Sequence, residues 1–540
     1  FDLELNEFAY LAALPKGPNN YDPKKNYKRA LDRRNYVLKQ MLLNNFITSE
    51  EFDNETNKKI IVSDRNNRKY QLDYKTDYIL ENIKQYSSHP SNAYYIQSTI
   101  NQDIQKIAEK SLIDNLLLLE KKYQSWQGSY EDFSDIEKSD LNKSWVIAKV
   151  SKLKKDHTEV IIIDSNEIIN LSHFNNLFGP KKQNPKNFLK VNDFIFLTKI
   201  NDQYFLAQEP KINGSVLVMD PFNGDILAMV GGVSYSNSKF NRSTQAFRQP
   251  GSSIKPFIYA QAIDQNKYLP NSLILDSDII LDQGPNLPTW IPKNYSNKSY
   301  GTMTFRRALE TSNNLVTLKI GLDLGLPSVN SFFSKMNLYE NNKSNDVYSL
   351  LLGAIENNLL NITKSYSLFV NGGYEVSPNI IKKVVSDSGQ LIANQDYYEC
   401  KFCQFNIEDR SYRKPIIKPN NLNSITPQTS FQILNILRGA VERGTGKSLN
   451  EIDYPLAGKT GTTNDSKDLW FFGLTPKFVV GVYVGYDKPK KIGYKETGSS
   501  VALPVFKSFM KEYLLTNKDI ENNAFFIPKN LILKKIDTDS

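Results

Sequence analysis

Histidine and cysteine are scarce: this chain of 540 residues contains three histidines and two cysteines. His89, His157 and His173 all precede residue 213, after which the candidate reactive residues lie. A Ser-His-Asp triad therefore has no local candidate for its base. A structural zinc site requires four ligands, and one pair of cysteines far from every histidine in sequence does not supply them. We predict neither a metal site nor a bound cofactor.

The two cysteines form a single CxxC pattern, Cys400 and Cys403 in YYECKFCQF. No βαβ pattern surrounds them, which disfavours a thioredoxin-like redox pair. We expect a local structural disulfide in an oxidising compartment, with two ordinary thiols as the alternative.

Long apolar runs are also missing. No stretch reaches the roughly 18–20 apolar residues that span a bilayer, and no signal-like segment opens the chain. The sequence starts at Phe1 with FDLELNEFAYLAALP, a helical pattern typical of the middle of a domain. We therefore expect that the natural N-terminus is missing, together with any membrane anchor.

The net charge is +9, from 67 lysines and arginines against 58 acidic residues. This balance suits an acidic partner, such as a polymer that bears carboxylates. No dense arm of arginines appears, so we do not expect a nucleic-acid partner.

The length predicts several domains. Residues 1–58 have a helical pattern, and residues 59–142 read as a linker that ends in one strand and one helix. Residues 143–212 change to short β-runs separated by turn residues, typical of a small OB-like barrel. Residues 213–515 mix strands and helices, and residues 516–540 are expected to be a flexible polar tail.

The region from 213 to 515 has strand patterns at both ends. SVLVMDPFNGDILAMVGG predicts a hairpin that turns at Asn223-Gly224. LWFFGLTP and KFVVGVYVGYD predict two more strands, joined at Thr475-Pro476, and helical stretches lie between these pairs. We predict a multidomain chain whose main domain is α+β with a mostly antiparallel sheet.

The segment RQPGSSIKPF contains two serines and a lysine near a predicted helix start. Gly251 permits a sharp turn and Pro256 suits the first turn of a helix. Residues three apart share a helix face, so Lys255 is expected beside Ser252. A desolvated lysine near other cations can lose its proton and act as a base. Ser252 is therefore the candidate nucleophile.

Two further motifs follow at wide intervals. Ser312-Asn313-Asn314 comes after an amphipathic helix, and Lys459-Thr460-Gly461-Thr462-Thr463 leads toward a β-run. A Lys-Thr-Gly edge strand lets a substrate lie along it, with the bare Gly461 allowing close approach and Lys459 attracting a carboxylate. SxxK, SxN and KTG in this order are the motifs of serine acyl-enzymes that handle penicillin.

With these motifs the chain resembles the class A, bifunctional penicillin-binding proteins over about residues 1–515. The resemblance extends to VLVMDPFNGDILAMVGG, DLWFFGLTP, SLFVNGGY and TSFQILNILRGAVERGTGKS. It implies a serine β-lactamase-like transpeptidase domain, and a barrel insert like that of proteobacterial members. Residues 1–58 resemble only the C-terminal end of a glycosyltransferase domain, with RRNYVL matching its last motif. We therefore expect this chain to lack glycosyltransferase activity.

The resemblance implies a DD-transpeptidase that cross-links peptidoglycan stem peptides. Ser252 would attack the penultimate D-Ala carbonyl, Lys255 would take its proton, and Ser312 would pass a proton to the departing amine. Asn314 would hold the substrate amide. Penicillin would form a slowly hydrolysed adduct on the same serine.

The third motif would hold the terminal carboxylate of the substrate. The resemblance implies an electropositive seat made by Lys459 and the hydroxyls of Thr460, Thr462 and Thr463. The N–H groups of Ser252 and Thr462 would form the oxyanion hole. The implied partners are stem peptides, glycan strands, β-lactam inhibitors and cell-wall synthesis proteins. The implied location is the periplasmic face of a bacterial inner membrane.

Several alternatives compete with this interpretation. GTGKS at 444–448 lacks the first glycine of a phosphate loop, because Val441 stands there. ENNLLN at 356–361 resembles the glutamate segment of a β-lactamase, but its spacing is one residue too long. A DD-carboxypeptidase and a non-turnover β-lactam sensor or scaffold remain open.

Overall fold

The computed structural model describes residues 3–18, 20–23, 25–60, 72–86, 94–133, 145–200, 202–283, 288–339, 347–395, 398–401, 416–419, 423–517 and 524–534. The chain forms two compact units, Phe1–Gln71 and Leu72–Ser540.

The first unit is helical, as the pattern over 1–58 predicts. It contains α1 (Leu5–Ala13), α2 (Tyr27–Leu43) and α3 (Ser49–Thr56). A small apolar core holds them together, formed by Ala9, Leu38 and Ile47. Arg34 is fully buried, and its guanidinium donates to the carbonyls of Thr56 and Lys58 at 2.9 and 2.7 Å. This arginine satisfies carbonyls that the end of α3 leaves without partners.

The second unit contains the remaining elements. Its helices are α4 (Tyr74–Ile83), α5 (Gln102–Tyr123), α6 (Lys255–Asp264), α7 (Phe305–Glu310), α8 (Asn314–Leu324), α9 (Leu326–Lys335), α10 (Leu359–Tyr366), α11 (Pro427–Glu442) and α12 (Ala502–Thr516). Its strands are β1 (Tyr94–Ser98), β2 (Ser129–Tyr130), β3 (Val146–Leu153), β4 (His157–Ile162), β5 (Ile168–Ser172), β6 (Phe194–Ile200), β7 (Gln203–Ala207), β8 (Asn213–Met219), β9 (Ile226–Val230), β10 (Leu273–Asp276), β11 (Gly301–Thr304), β12 (Ile381–Ser386), β13 (Leu391–Asn394), β14 (Tyr398–Lys401), β15 (Ile416–Pro419), β16 (Ala457–Thr462), β17 (Asp468–Leu474) and β18 (Val479–Gly485).

A five-stranded antiparallel sheet organises the main domain, with the order β16-β17-β18-β8-β9. The hairpin predicted around Asn223-Gly224 is β8 and β9, and the pair joined at Thr475-Pro476 is β17 and β18. The Lys-Thr-Gly motif lies on β16 at the edge of the sheet. Among the strands that the structure describes, none pairs with the outer side of β16, which leaves that side of the motif available to a ligand.

Side chains alternate between the two faces of this sheet, as strand geometry requires. One face packs on α5 and α12, and its members include Val216, Val218, Phe471, Val480 and Val482. The other face shares a core with α6, α8, α10 and α11, which we call the central helices. Its members include Leu217, Met219, Trp470, Phe472 and Val479. The sheet is thus buried on both sides. Helix α5 lies outside the range 213–515 but covers one face of this sheet, so it belongs to the main domain.

A second sheet has the order β2-β6-β3-β4-β5, with β7 paired to β6, and all of these pairs are antiparallel. Four of its strands, β3, β4, β6 and β7, coincide with the β-runs expected between 143 and 212. The two-residue strand β2 lies earlier, in the range expected to be a linker. The sequence did not predict it, because so short a strand has no recognisable periodicity. We use the name β-module for residues 129–207.

Part of the C-terminal tail packs on the main domain. Residues 518–523 and 535–540 lie outside the description, but Phe525 is 7% exposed and joins the core beneath the central helices. The Gln428 amide donates to the Lys529 carbonyl at 3.0 Å. Between 524 and 534 the expected flexible tail is therefore held against α11.

Two other expectations concern cysteines and membrane spans. The side chain of Cys400 and all of Cys403 lie outside the described residues, so the disulfide stays a prediction. None of the helices in the described ranges combines the length and apolarity that a membrane span requires.

Candidate active site

The nucleophile segment forms a tight helix start against the edge strand. A short 3-10 helix covers Gly251–Ile254, and α6 follows from Lys255 with Pro256 in its first turn. Gly251 has φ +54°, and a Cβ there would lie 2.4 Å from the carbonyl oxygen of Thr462. Only glycine fits this conformation and this approach. The helix start predicted near Ser252 is therefore confirmed, and it lies beside the Lys-Thr-Gly strand.

Lys255 is fully buried and faces the second motif. Its Nζ donates to the Ser312 carbonyl at 2.7 Å, to the Asn313 carbonyl at 3.2 Å and to Asn314 Oδ1 at 2.6 Å. Burial lowers the pKa of Lys255 well below its usual value, and the nearby Lys459 lowers it further. A neutral amine at this position can accept a proton.

Ser252 is half-buried, and among the described residues its hydroxyl has no hydrogen-bond partner. The expected neighbour on the helix, Lys255, directs its Nζ at the Ser312–Asn314 turn instead. Such contacts between base and nucleophile are often long until substrate binds. The backbone of the 3-10 helix is held by a buried side chain, because the Tyr366 hydroxyl donates to the Ser253 carbonyl at 2.5 Å.

Ser312 lies between the two lysines. Its Oγ is 2.9 Å from Lys459 Nζ and 3.5 Å from Lys255 Nζ. The residue has φ +60°, a left-handed conformation that is uncommon for a residue with a side chain. Asn313 then caps α8 by accepting from the Val316 amide at 2.9 Å. The turn thus presents the Ser312 hydroxyl to both lysines, and its carbonyl oxygens to Lys255.

Lys459 is fully buried on β16, and burial lowers its pKa to about 7. Its Nζ donates to Ser312 Oγ and to the Thr460 carbonyl, the latter at 2.8 Å. Because no carboxylate stands in these contacts, the cation is only partly compensated. An arriving carboxylate would favour the charged form of Lys459.

The other residues of the third motif have separate partners. Thr460 donates from its hydroxyl to Thr445 Oγ1 at 3.1 Å, and Thr462 Oγ1 accepts from the Gly498 amide at 3.0 Å. The hydroxyl of Thr463 is engaged with Asp468, whose amide donates to it at 2.9 Å. The structure therefore brings Lys255, Ser312, Asn314 and Lys459 together, and gives the Thr463 hydroxyl a role in the turn before β17.

Gly461 has a different close neighbour from the one that the sequence suggested. A Cβ at this position would lie 2.6 Å from the Pro250 carbonyl and 3.0 Å from Ser253 Cβ. The bare glycine is therefore required by the nucleophile segment, which packs directly on β16.

Sequence reasoning missed several residues that build this site. Asp276 and Asn294 hydrogen-bond to the Ser312–Asn314 turn. Buried Glu310 accepts from the Arg443 guanidinium, which ties the end of α7 to the end of α11. Thr445 belongs to the GTGKS segment, which the sequence presented only as an incomplete phosphate loop. None of these residues carries a local pattern that announces a site.

Comparisons with known proteins identify the family. The family model "Penicillin binding protein transpeptidase domain" matches residues 214–511, and the model "Transglycosylase" matches residues 1–42. Penicillin-binding protein 1A of Rickettsia prowazekii is 34% identical over 559 residues, which cover 99% of this chain and 69% of that protein. The chain belongs to the penicillin-binding protein 1A family.

Solved structures give the same result. The crystal structure of penicillin-binding protein 1A from Haemophilus influenzae has a TM-score of 0.73 at 28% identity, covering 99% of this chain and 83% of that one. The structure of PonA1 from Mycobacterium tuberculosis in complex with penicillin V has a TM-score of 0.53 at 18% identity, covering 84% and 94%. At this low identity the PonA1 match shows the fold alone. The predicted α+β penicillin-binding fold is confirmed.

Proposed function

We propose that Ser252 is the nucleophile of a DD-transpeptidase, with Lys255 as its base and Lys459 as the seat of the substrate carboxylate. The family makes the chain a peptidoglycan transpeptidase that binds penicillin. One observation carries the residue assignment: the Ser312 hydroxyl lies within 2.9 Å of Lys459 Nζ and 3.5 Å of Lys255 Nζ. Two buried amines that share one hydroxyl form a path for a proton.

In the first half-reaction, neutral Lys255 takes the Ser252 hydroxyl proton as Oγ bonds to the penultimate D-Ala carbonyl carbon. The backbone N–H groups of Ser252 and Thr462 stabilise the oxyanion, a contribution of about 3–4 kcal/mol per donor in other acyl-transfer enzymes. The contact between Gly251 and the Thr462 carbonyl supports this pairing. The C–N bond then breaks, and Ser312 passes the proton to the leaving D-Ala amine.

In the second half-reaction an amine of a neighbouring stem peptide attacks the ester carbonyl. The amine loses its proton through the same Ser312 and Lys255 path, the ester C–O bond breaks, and Ser252 regains its proton. Asn314 has one amide hydrogen bonded to the Lys293 carbonyl at 2.8 Å. Its second amide hydrogen is the donor that we assign to the substrate amide.

Water in place of the amine would make the same site a DD-carboxypeptidase, and no acceptor at all would leave a β-lactam sensor or scaffold. A β-lactamase is disfavoured, because Glu356, the carboxylate that the sequence offered for activating water, is exposed. The acyl-enzyme is common to all of these activities.

The remaining regions have accessory roles in this proposal. The transglycosylase match at residues 1–42 supports the assignment of the first unit to the end of a glycosyltransferase domain. The β-module, whose antiparallel sheet agrees with an OB-like fold, would contact glycan strands or cell-wall synthesis proteins. The family relationship supports a location at the periplasmic face of the inner membrane.

Labelling with a fluorescent penicillin tests the nucleophile. We expect the wild type to label covalently and Ser252→Ala to remain unlabelled, with Ser253→Ala as the matched control that keeps labelling. Label retained in Ser252→Ala would refute the assignment.

Product analysis tests the acceptor. A stem-peptide donor is incubated with and without a diamine, and the products are identified by mass spectrometry. A transfer product is expected with the diamine. Release of D-Ala without transfer would identify a carboxypeptidase.

A further inference from the structure

A buried carboxylate lies behind the Ser312–Asn314 turn. Asp276, the last residue of β10, is 1% exposed and forms no ion pair within the described part of the chain. Three donors face it: Asn294 Nδ2, which lies 3.0 Å from both carboxylate oxygens, Asn313 Nδ2 at 2.9 Å and the Tyr300 amide at 2.8 Å. A buried charge without a cation is costly, and these donors are its compensation.

Asn294 extends the contact to the next residue of the turn. Its Oδ1 accepts from the Asn314 amide at 2.9 Å and from the Leu315 amide at 3.3 Å, and its Nδ2 also donates to the Lys298 carbonyl at 2.9 Å. Asn294 is 6% exposed, so these bonds are shielded from water. Asp276 therefore holds Asn313 directly and Asn314 through Asn294.

The turn that they hold is the one that faces Lys255. Three oxygens, the carbonyls of Ser312 and Asn313 and Oδ1 of Asn314, accept from Lys255 Nζ, and Ser312 adopts its left-handed conformation between α7 and this anchor. A strained residue persists where its surroundings fix it from both sides. The amide of Asn313 is held by the Ala308 carbonyl at 2.8 Å, and its side chain by Asp276.

We propose that Asp276 and Asn294 are positioning residues for acyl transfer, holding the Ser312–Asn314 turn so that it aligns Lys255 and the Ser312 hydroxyl. The inference rests on the proposed function, in which Lys255 and the Ser312 hydroxyl form the proton path. Neither Asp276 nor Asn294 touches the reacting atoms; each acts through the turn.

The charge on residue 276 is part of this role. An ionised carboxylate only accepts hydrogen bonds, and every partner of Asp276 is a donor. In Asp276→Asn one carboxylate oxygen becomes an amide NH2 group that faces a donor: at one oxygen Asn294 Nδ2, and at the other Asn294 Nδ2 together with Asn313 Nδ2 and the Tyr300 amide. If Asn294 turns its amide to relieve this clash, its nitrogen then faces the Asn314 amide. The substitution therefore disturbs the turn although it changes no volume.

The test compares Asp276→Asn with Asp278→Asn in the full chain. Asp278 is exposed in the segment after β10, and within the described ranges it accepts from the Ser299 hydroxyl alone, at 3.0 Å. Acylation by a fluorescent penicillin is resolved into its affinity, its rate constant and its labelling stoichiometry across pH. We expect Asp276→Asn to slow the rate constant about tenfold or more, as small misplacements at catalytic groups do, with affinity and stoichiometry unchanged. Asp278→Asn should stay within twofold of the wild type.

Asn294→Ala is the second variant, because it leaves the Asp276 charge in place and removes the acceptor of the Asn314 amide. It should slow the same rate constant, which a purely electrostatic effect of residue 276 would not explain. In Asp276→Asn the acidic limb of the pH profile should move to lower pH, since the turn no longer aligns the oxygens that favour the charged form of Lys255.

The outcomes separate the two proposals. A wild-type rate constant in both variants, with only a lower melting temperature or stoichiometry, would overturn the positioning role and leave the nucleophile assignment intact. Persistent labelling of Ser252→Ala would overturn the proposed site itself.

Discussion

Buried lysines occur in two regions of the second unit. Lys255 and Lys459 lie at the edge of the five-stranded sheet, and Lys121 lies near the end of α5 against the β-module. Burial lowers the pKa of Lys459 to about 7 and that of Lys121 to about 8. By burial and pKa alone the two regions look alike.

Their neighbours differ. Lys121 Nζ donates to the Asn175 carbonyl at 2.9 Å and to Asn176 Oδ1 at 3.2 Å, and it lies 4.6 Å from the centroid of the Phe205 ring. These groups accept hydrogen bonds or favour a cation, and none of them offers a proton. At the sheet edge the shared neighbour is the Ser312 hydroxyl, which can both accept and donate. A lowered lysine pKa indicates a reactive site only when such a group stands beside it.

The difference between the two lysine regions is tested most strongly by removing Lys255, the proposed base. We expect Lys255→Met to slow acylation by penicillin about 1,000-fold, within the range that general bases contribute. Lys121→Met is the matched control, and it should change the acylation rate less than twofold. The measurement is the time course of fluorescent penicillin labelling at saturating ligand. An equal loss of rate in both variants would mean that the substitutions disturb the fold and do not distinguish the two regions.

A smaller effect is expected in the pH dependence of stability. The ordinary pKa of lysine, 10.5, applies in the unfolded chain, so between pH 7 and 10.5 the unfolded state binds more protons at Lys459 than the native state does. The free energy of unfolding therefore rises with pH in this window, by up to about 1.4 kcal/mol per pH unit for this one group. For Lys121 the same rise begins only near pH 8.

Urea unfolding at pH 7, 8 and 9 distinguishes the two lysines. Lys459→Met should lose part of the wild-type rise between pH 7 and 8, whereas Lys121→Met should keep the rise there and lose part of it above pH 8. Parallel curves for the two variants and the wild type would show that neither lysine is desolvated as the structure indicates.

The sequence predicted the elements of the site better than its supports. Ser252, Lys255, Ser312 and Lys459 stand in short motifs whose chemistry is local, and the strand patterns at both ends of the region from 213 to 515 predicted a mostly antiparallel sheet. Helix spacing also predicted α2 and α5. These signals reside in neighbouring residues, so a single sequence contains them.

The supports could not be predicted because they join residues that are distant in sequence. Asp276 meets Asn313 across 37 positions, and Glu310 meets Arg443 across 133 positions. In the sequence alone, nothing distinguishes these polar residues from the polar residues of an ordinary loop. Gly461 shows the same limit: the sequence suggested a close approach by the substrate, but it could not show that the Pro250 carbonyl lies where a side chain would stand.

The smallest effect that we expect concerns Thr445, which has no counterpart around Lys121. Its backbone is fixed on both sides, because its amide donates to the Glu310 carbonyl at 3.3 Å and its carbonyl accepts from the Ser499 hydroxyl at 2.8 Å. Its Oγ1 accepts from Thr460, so its own hydroxyl proton is left to bind an anion beside β16. A hydrogen bond to a charged group contributes about 1.5 kcal/mol or more, which is roughly tenfold in affinity.

Thr445→Val should therefore weaken the affinity of the site for penicillin, which carries a carboxylate, about tenfold and leave the acylation rate constant nearly unchanged. Thr445→Ser keeps the hydroxyl and should retain wild-type affinity. Affinity and rate constant are separated by following acylation over a range of penicillin concentrations. If the valine variant, which keeps the γ-methyl group, retains wild-type affinity, the hydroxyl of Thr445 does not bind the carboxylate. The contrast with Lys121 would then depend on Ser312 alone.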